Sequence, residues 1–466
     1  MVFRLIFLYG ETILSRAEVI LPSFGAVSPY ADIISPYTDT FSAYGDNVSP
    51  CAKTSLLYAE MTSPYAGAPK KDGSCVLPYA ETTSAHDYVI LPYAEATLPC
   101  ADVAFAYFVK DSYYSLSIVL AMSYRFYLPR KEGSSQTGKK ILAVDIGGTK
   151  TSFGVFEVNG DALSLIREET FGSRSLGTFE EILQKFLTSD KYARPDVLSI
   201  GVAGPVLENK VTLTNLSWEL DAASLKTEFN IEKVSIINDL EATAYGLAGL
   251  SAEDTVPLFE GSETILGNMA VLAPGTGLGE AGMFWDGEYH RPFATEGGHS
   301  EFAPRTDLDV ELLKYLQQED EIISWEHVVS GPGIYRIYKF LRDVKGNKEP
   351  AWLQENFKNN DNPAAVISHA AMRELDGTCS STMDLFVSYM ARESASLVLK
   401  HKAVGGLWLG GGIPPRIFPL LKADLFREQF IQNAHMTHLL EKVPIHVILN
   451  SQAALVGAGY YGAFGA

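Results

Sequence analysis

Beyond residue 139 the hydrophobic and polar positions fall into short blocks that predict alternating strands and helices. Ile141–Val144 is an apolar run that reads as a buried strand, and Ser152–Val158 alternates as a second one. Met269–Leu272 and Ala281–Trp285 repeat that pairing, again with a glycine-rich turn between them. Ser199–Pro205 reads as a strand entering a turn. Ser235–Glu241 reads as a strand end, followed by an alanine-rich helical pattern through Leu250. Leu407–Leu409 runs into three glycines, and Ala453–Phe464 closes the chain as an apolar, helix-like segment.

Before residue 139 the pattern is different. Triplets at Ser28, Ser35, Ser42 and Ser49 recur every seven residues, and the register continues through Leu56, Ser63, Leu77, Ser84, Leu91, Leu98 and Phe105. Lys70 marks an eroded copy, and the consensus is roughly [Ser/Leu]-Pro-Tyr-Ala-[Asp/Glu]-x-x. A period of seven suggests a coiled coil, but proline in most copies costs about 3 kcal/mol at each helix-interior site, which excludes heptads. The period is also too short for helical solenoids and too proline-rich for central strands. Three readings stand: a disordered tyrosine-rich tail, an array of Pro-Tyr interaction motifs, or a translated 21-nucleotide DNA repeat upstream of the true start. The in-frame register favours the last, with Met122 as the expected first residue. No function is assigned to residues 1–121.

Composition sharpens this division. All five tryptophans lie beyond residue 139, whereas 14 of the 23 tyrosines lie before it. The chain carries a formal charge of −19, most of it in the later part, which disfavours nucleic acid or an anionic membrane as a partner. Cys51, Cys75, Cys100 and Cys379 show no metal-ligand or disulfide spacing, so a reducing cytoplasm is the expected location. No run reaches the ~18 apolar residues of a membrane span. The opening Val2–Leu8 lacks the flanks of a signal peptide.

The candidate chemistry sits in the turns. Gly147 and Gly148 offer backbone N–H groups bare of side chains, which suits a polyphosphate, and the Thr149 hydroxyl adds a donor. Asp145 stands where an acid can hold Mg²⁺. A tight hairpin after a buried strand is the plainer reading of this stretch alone. Gly275, Thr276 and Gly277 form a second cradle of the same kind, and two such hairpins in one chain are far less expected by chance. Asn238 and Asp239 end a strand, where an α/β sheet presents catalytic groups. Asp239 could accept a proton from a substrate hydroxyl while Asn238 bonds a neighbouring one, or the pair could simply cap the next helix. Glu296 and His299, separated only by glycines, can grip adjacent hydroxyls; zinc ligation is the weaker alternative. Glu326 offers a further carboxylate, though a solvated helix residue is the plainer reading of it alone, and Gly411 and Gly412 allow close approach of a flat ligand such as adenine or simply tight packing.

Together these segments resemble the bacterial glucokinase family, within the sugar kinase, heat-shock ATPase and actin superfamily, over residues 140–466. Asp-Ile-Gly-Gly-Thr at 145–149 and Pro-Gly-Thr-Gly-Leu-Gly at 274–279 resemble its two phosphate loops. Gly410–Gly412 match the adenosine side, Asn238–Asp239 the catalytic strand end, and Glu-Gly-Gly-His at 296–299, with Glu326, the sugar grip. Lys150 is more reminiscent of the related repressor–kinase family. That family's Cys-x-Cys-Gly-x-x-Gly-Cys motif is missing, however, and Phe-Ala-Pro-Arg at 302–305 fits the glucokinase side.

The resemblance implies two ribonuclease-H-like (actin-like ATPase) α/β domains with mixed five-stranded sheets flanking a hinged cleft, and an irregular N-terminal extension over residues 1–139. The small domain is expected at 140–249 plus 445–466, and the large one at 250–444. The implied activity is ATP- and Mg²⁺-dependent phosphorylation of D-glucose at its 6-hydroxyl, feeding glycolysis, with Asp239 as general base, Asp145 as metal ligand and a homodimer as the assembly. The alternatives are a kinase for another hexose or an N-acetylated amino sugar, an idle sugar sensor, or a scaffold built on the repeats.

Overall fold

The computed structural model describes residues 136–465 apart from 175–176, 189–193, 214 and 263–264, together with the backbone of short strands between residues 2 and 121. The chain divides into two units, 1–124 and 125–466. In the first unit the described strands pair antiparallel. Val2–Tyr9 joins Thr12–Ile20, Asp39–Thr40 joins Ser55–Leu56, and Phe105–Phe108 lies between Val89–Pro92 and Ile118–Ala121. Most of the seven-residue repeat, and Met122, lie outside the described residues.

The second unit is built on two sheets of matching design. The first has the order Ala162–Gly172, Lys150–Asn159, Lys140–Ile146, Val197–Val202, Lys233–Asn238. Its first three strands form an antiparallel meander and the last two add in parallel. A parallel neighbour requires a crossover, and helix Phe179–Thr188 supplies it between Ala162–Gly172 and Val197–Val202. The second sheet repeats this plan in Met269–Pro274, Leu278–Trp285, His290–Thr295, Gly406–Leu409 and Ile445–Ile448. It has six strands rather than the expected five, because Thr255–Phe259 pairs antiparallel on the outer edge of Ile445–Ile448. The boundary expected at residue 445 also shifts. Ile445–Ile448 belongs to the second sheet, and the chain returns to the first lobe only with helix Ala453–Phe464.

Each lobe has its own core. One face of the first sheet buries Leu142, Val144, Phe153 and Ile200 against Phe179, Ile182 and Trp218. Its other face buries Ile141, Ala143 and Phe156 against Leu455, Ala458 and Ala463 of the last helix. Burial on both faces explains why Ile141–Val144 and Val197–Val202 read as continuous apolar runs rather than alternating ones. The second core gathers around the long helix Gly377–His401, with Phe386, Met390 and Leu397 fully enclosed. Among the described residues no helix is long and apolar enough to cross a membrane.

The last helix packs directly on helix Asp239–Gly246 through bare backbone. A Cβ at Gly457 would stand 1.6 Å from the Ala242 carbonyl oxygen, and one at Gly246 would stand 2.1 Å from that of Ala453. Backbone cannot yield as a side-chain tip can. Gly457→Ala is therefore expected to destabilise the protein by about 1–3 kcal/mol through overpacking, read as a lower urea midpoint at unchanged slope.

Candidate active site

Asp145 is placed by the first sheet's central strand. It lies beside Gly201 across the parallel ladder, one position before the strand ends at Ile146. Burial pushes its carboxyl up to about 6. The turn that follows closes on itself, with Gly147 N donating to Lys150 O at 2.9 Å. Ser173, from the end of the meander, holds this turn from below. Its hydroxyl donates to Gly147 O at 2.7 Å, and its N–H donates to Thr149 O at 3.0 Å. Thr151 Oγ1, also buried, lies 3.0 Å from Ser173 Oγ. With its carbonyls turned inward, the outer side of the turn is left bare. A Cβ at Gly148 would meet nothing within 4 Å.

Asn238 and Asp239 divide the two roles considered for them. Asn238 caps the helix: its Oδ1 accepts Leu240 N at 2.9 Å and Glu241 N at 3.3 Å, and its Nδ2 donates to Gly204 O. One amide hydrogen remains for a ligand. Asp239 opens helix Asp239–Gly246, with Oδ1 accepting from Leu240 N at 2.9 Å. Burial, then the charges of Asp145 and Glu296, push it up to about 7 against that hydrogen bond. Helix Asp239–Gly246 packs against strands Leu278–Trp285 and His290–Thr295, so the two lobes meet beside Asp239. Leu240 seals the approach, since a Cβ at Gly279 would stand 2.3 Å from its methyl carbon.

The second glycine turn is closed by Gly275 N donating to Gly277 O at 2.8 Å. Gly275 faces open space, and Thr276 is exposed. Glu326 lies against this turn, and its Oε2 accepts Leu278 N at 2.9 Å. A Cβ at Gly277 would come within 2.5 Å of that oxygen, so a side chain there would displace the Glu326 carboxylate. Backbone bonds Phe302 N to Ile323 O and Trp325 N to Ser300 O stitch the Glu326 segment to the Glu296–His299 turn. Glu296 and His299 are both exposed, with Oε2 and Nε2 4.0 Å apart. Gly411 takes φ +76, and a Cβ there would stand 2.6 Å from Pro274 O, so its backbone lies hard against the second turn. Gly412 beside it is open.

These residues fit a nucleotide with its metal. Gly148, Gly275 and Gly412 leave backbone uncovered where phosphate and a flat ring need approach. Asp145 is a carboxylate whose ionised form is disfavoured by burial, a state that a cation relieves. Mg²⁺ is usually held by one or two carboxylates plus phosphate and water. Among the described residues no group of three or more His, Cys, Asp and Glu side chains converges on one point. Local sequence gives no sign of Ser173, which acts through a fold contact 26 residues from Gly147. Glu280 carries a signal that passes unread: it is the one acid in an apolar strand, Leu278–Trp285.

Two duplicated α/β lobes, each with a glycine hairpin leaving its central strand, and acids meeting where the lobes touch, define the actin-like ATPase class that includes the sugar kinases. The chain belongs to the glucokinase family, whose profile matches residues 142–463. It is 38% identical to a glucokinase of Trichormus variabilis over 332 residues, 68% of this chain and 97% of the relative. It is 36% identical to one of Synechocystis over 344 residues, covering 69% and 97%. A crystal structure of glucokinase from an Antarctic psychrotroph superposes with a TM-score of 0.62 at 30% identity, over 70% of this chain and 98% of that one. Residues 1–141 lie outside the family match.

Proposed function

We propose that the chain transfers the terminal phosphoryl group of ATP to the 6-hydroxyl of D-glucose, giving glucose 6-phosphate. The observation that carries this is Asp239: a strand-end carboxylate, made a better base by burial and by Asp145 and Glu296, where the two lobes meet. Its carboxylate takes the proton of the 6-hydroxyl as that oxygen attacks the γ-phosphorus, whose bond to the β,γ-bridging oxygen breaks to release ADP. Glu296, His299 and Glu326 fix the sugar through its other hydroxyls, with the spare Asn238 amide hydrogen a further donor. Such fixing replaces a collision by an oriented attack. Groups that hydrogen-bond a hydroxyl reject analogues lacking it far better than apolar pockets do, so sugar choice belongs to this set. The turns at 147–149 and 275–277 hold the phosphates, and Gly411 and Gly412 lie beside the adenine. Asp145 would hold Mg²⁺, and the ion would supply neutralisation of phosphate charge. Cytoplasmic location and homodimeric assembly belong with this reading.

The test is ATP- and Mg²⁺-dependent phosphorylation over a panel of sugars, by the full chain and by a chain beginning at Met122. Glucose as the preferred substrate, with equal activity in both forms, supports the kinase and marks the repeats as dispensable. Folded but inactive protein in both forms overturns it. A narrower check falls on the second turn. Gly277→Ala drives a methyl group into Glu326 Oε2, so KM is expected to rise for both ATP and glucose, by about tenfold each. A change confined to ATP would separate Glu326 from the sugar.

A further inference from the structure

Beneath the Glu296–His299 turn lies a pair of carboxyl groups that phosphoryl transfer does not use. Glu280, on strand Leu278–Trp285, and Glu393, on helix Gly377–His401, are 1% and 0% exposed. They lie within hydrogen-bonding reach of each other. Glu280 Oε1 and Glu393 Oε2 are both buried with no donor to satisfy them. Two ionised carboxylates cannot be kept side by side in such a place, whereas one shared proton turns their repulsion into a strong O–H···O⁻ bond. Lys400 decides where the charge lies. Its Nζ donates to Glu393 Oε1 at 3.2 Å, which favours the negative charge on Glu393 and the proton on Glu280, although burial raises the Glu393 carboxyl as well. Burial, then the charge of Glu393, pushes Glu280 up to about 8.

Glu280 is built into the floor of the turn. A Cβ at Gly297 would stand 2.0 Å from Glu280 Oε2, and one at Gly298 would stand 2.1 Å from Leu278 O. Thr295 Oγ1 donates to Glu280 O at 3.1 Å and accepts Gly297 N at 3.2 Å. Both glycines between Glu296 and His299 therefore rest on residues 278–280.

We propose that Glu280 is a positioning residue for the sugar: by sharing one proton with Glu393 it seats the Gly297 backbone so that Glu296 and His299 face the substrate hydroxyls, and loss of that proton loosens sugar binding. The inference rests on the reading of Glu296 and His299 as the sugar grip. The charged groups facing Glu280 are Glu393 and Lys400, both from helix Gly377–His401. On the neighbouring strands Glu280 stands opposite Leu272 and Thr295, the turn brings Gly297 against it, and His401, at the end of that helix, is held below its usual range by burial. The folded-state acid is raised, so its contribution is complete below the ordinary carboxylate range and is lost as pH rises through about 8.

The test is glucose binding by calorimetry on the full chain between about pH 6 and pH 9.5, for wild type, Glu280→Gln and Glu280→Ala. Glutamine keeps an oxygen at Gly297, offers Glu393 an N–H, and cannot ionise. Wild-type affinity is expected to fall about tenfold across the alkaline limb, Glu280→Gln to hold within about twofold, and Glu280→Ala to bind weakly throughout. Parallel pH curves for wild type and Glu280→Gln overturn the proposal, as does wild-type affinity in Glu280→Ala. Should the alanine variant not fold, the glutamine comparison decides alone. A folded wild type that binds no glucose sinks the sugar reading instead. The proton pair is then judged by infrared spectroscopy, as a protonated carboxyl band at neutral pH that Glu280→Gln removes. Its absence from wild type overturns the pair.

Discussion

Asp239→Ala is expected to lower glucose turnover by about 10²–10⁴-fold while sugar binding remains measurable, because general-base assistance is lost and the hydroxyl contacts of Glu296, His299 and Glu326 are kept. The substitution sits at the first helical position, after the Asn238 cap, so the cap bonds to Leu240 and Glu241 survive it. A folding defect is therefore not the expected cause. Turnover by coupled assay, with glucose affinity measured separately, checks the claim. Retention of more than about a tenth of wild-type turnover would remove Asp239 from the role of base. Asp239→Asn keeps the shape and the acceptor at Leu240 N but cannot take a proton, so it is expected to match alanine in turnover and wild type in stability.

The second large effect is on stability. Arg392→Ala is expected to cost about 3–5 kcal/mol, since it strands a buried partner charge. Arg392 donates from Nη1 to Asp309 Oδ2 at 2.8 Å and from Nη2 to Ala303 O at 2.5 Å, and its side chain is 4% exposed. Asp309 is tied further by Arg305 N, Thr306 N and the Tyr389 hydroxyl. Burial works to raise its carboxyl, but the Arg305 N–H and Arg392 outweigh that and hold it below the usual range. Its contribution is thus present above the ordinary carboxylate range and lost on acidification. Removing the guanidinium leaves that charge and the Ala303 carbonyl without their partner. Against a total of about 5–15 kcal/mol, the loss is large enough to move the urea midpoint unmistakably. A shift worth under about 1 kcal/mol would mean that the pair adds little beyond an exposed one. The pair anchors residues 302–305, just downstream of the turn proposed to hold the sugar, so sugar affinity is expected to weaken in parallel.

Much of the site is legible in the sequence because its parts are local. Glycine pairs after apolar strands announce the phosphate turns, since bare N–H groups and sharp reversals need residues without a Cβ. Gly277 and Gly411 are crowded, since a Cβ would meet Glu326 Oε2 and Pro274 O. Asn238 shows where local reasoning stops. Capping and substrate binding ask for the same residue at the same place, and only the bonds to Leu240, Glu241 and Gly204 show that most of the side chain is spent on structure. The second sheet carries one strand more than the local pattern suggests, for a related reason. Thr255–Phe259 is short and has a proline, and it becomes a strand only because Ile445–Ile448 offers an edge.

What the chain determines by itself is the order of strands and turns, the chemistry placed at each strand end, and the break in character near residue 139. These follow from periodicity and residue type, which act over a few neighbours. Tertiary structure alone decides which distant groups share one dielectric environment. Asp145 and Glu296 raise Asp239 across 94 and 57 positions of sequence, Ser173 clamps a turn built long before it, and Glu280 meets Glu393 beneath the glycines of the sugar turn. Charge and proton affinity depend on distance and burial through space, and neither is written in the local pattern.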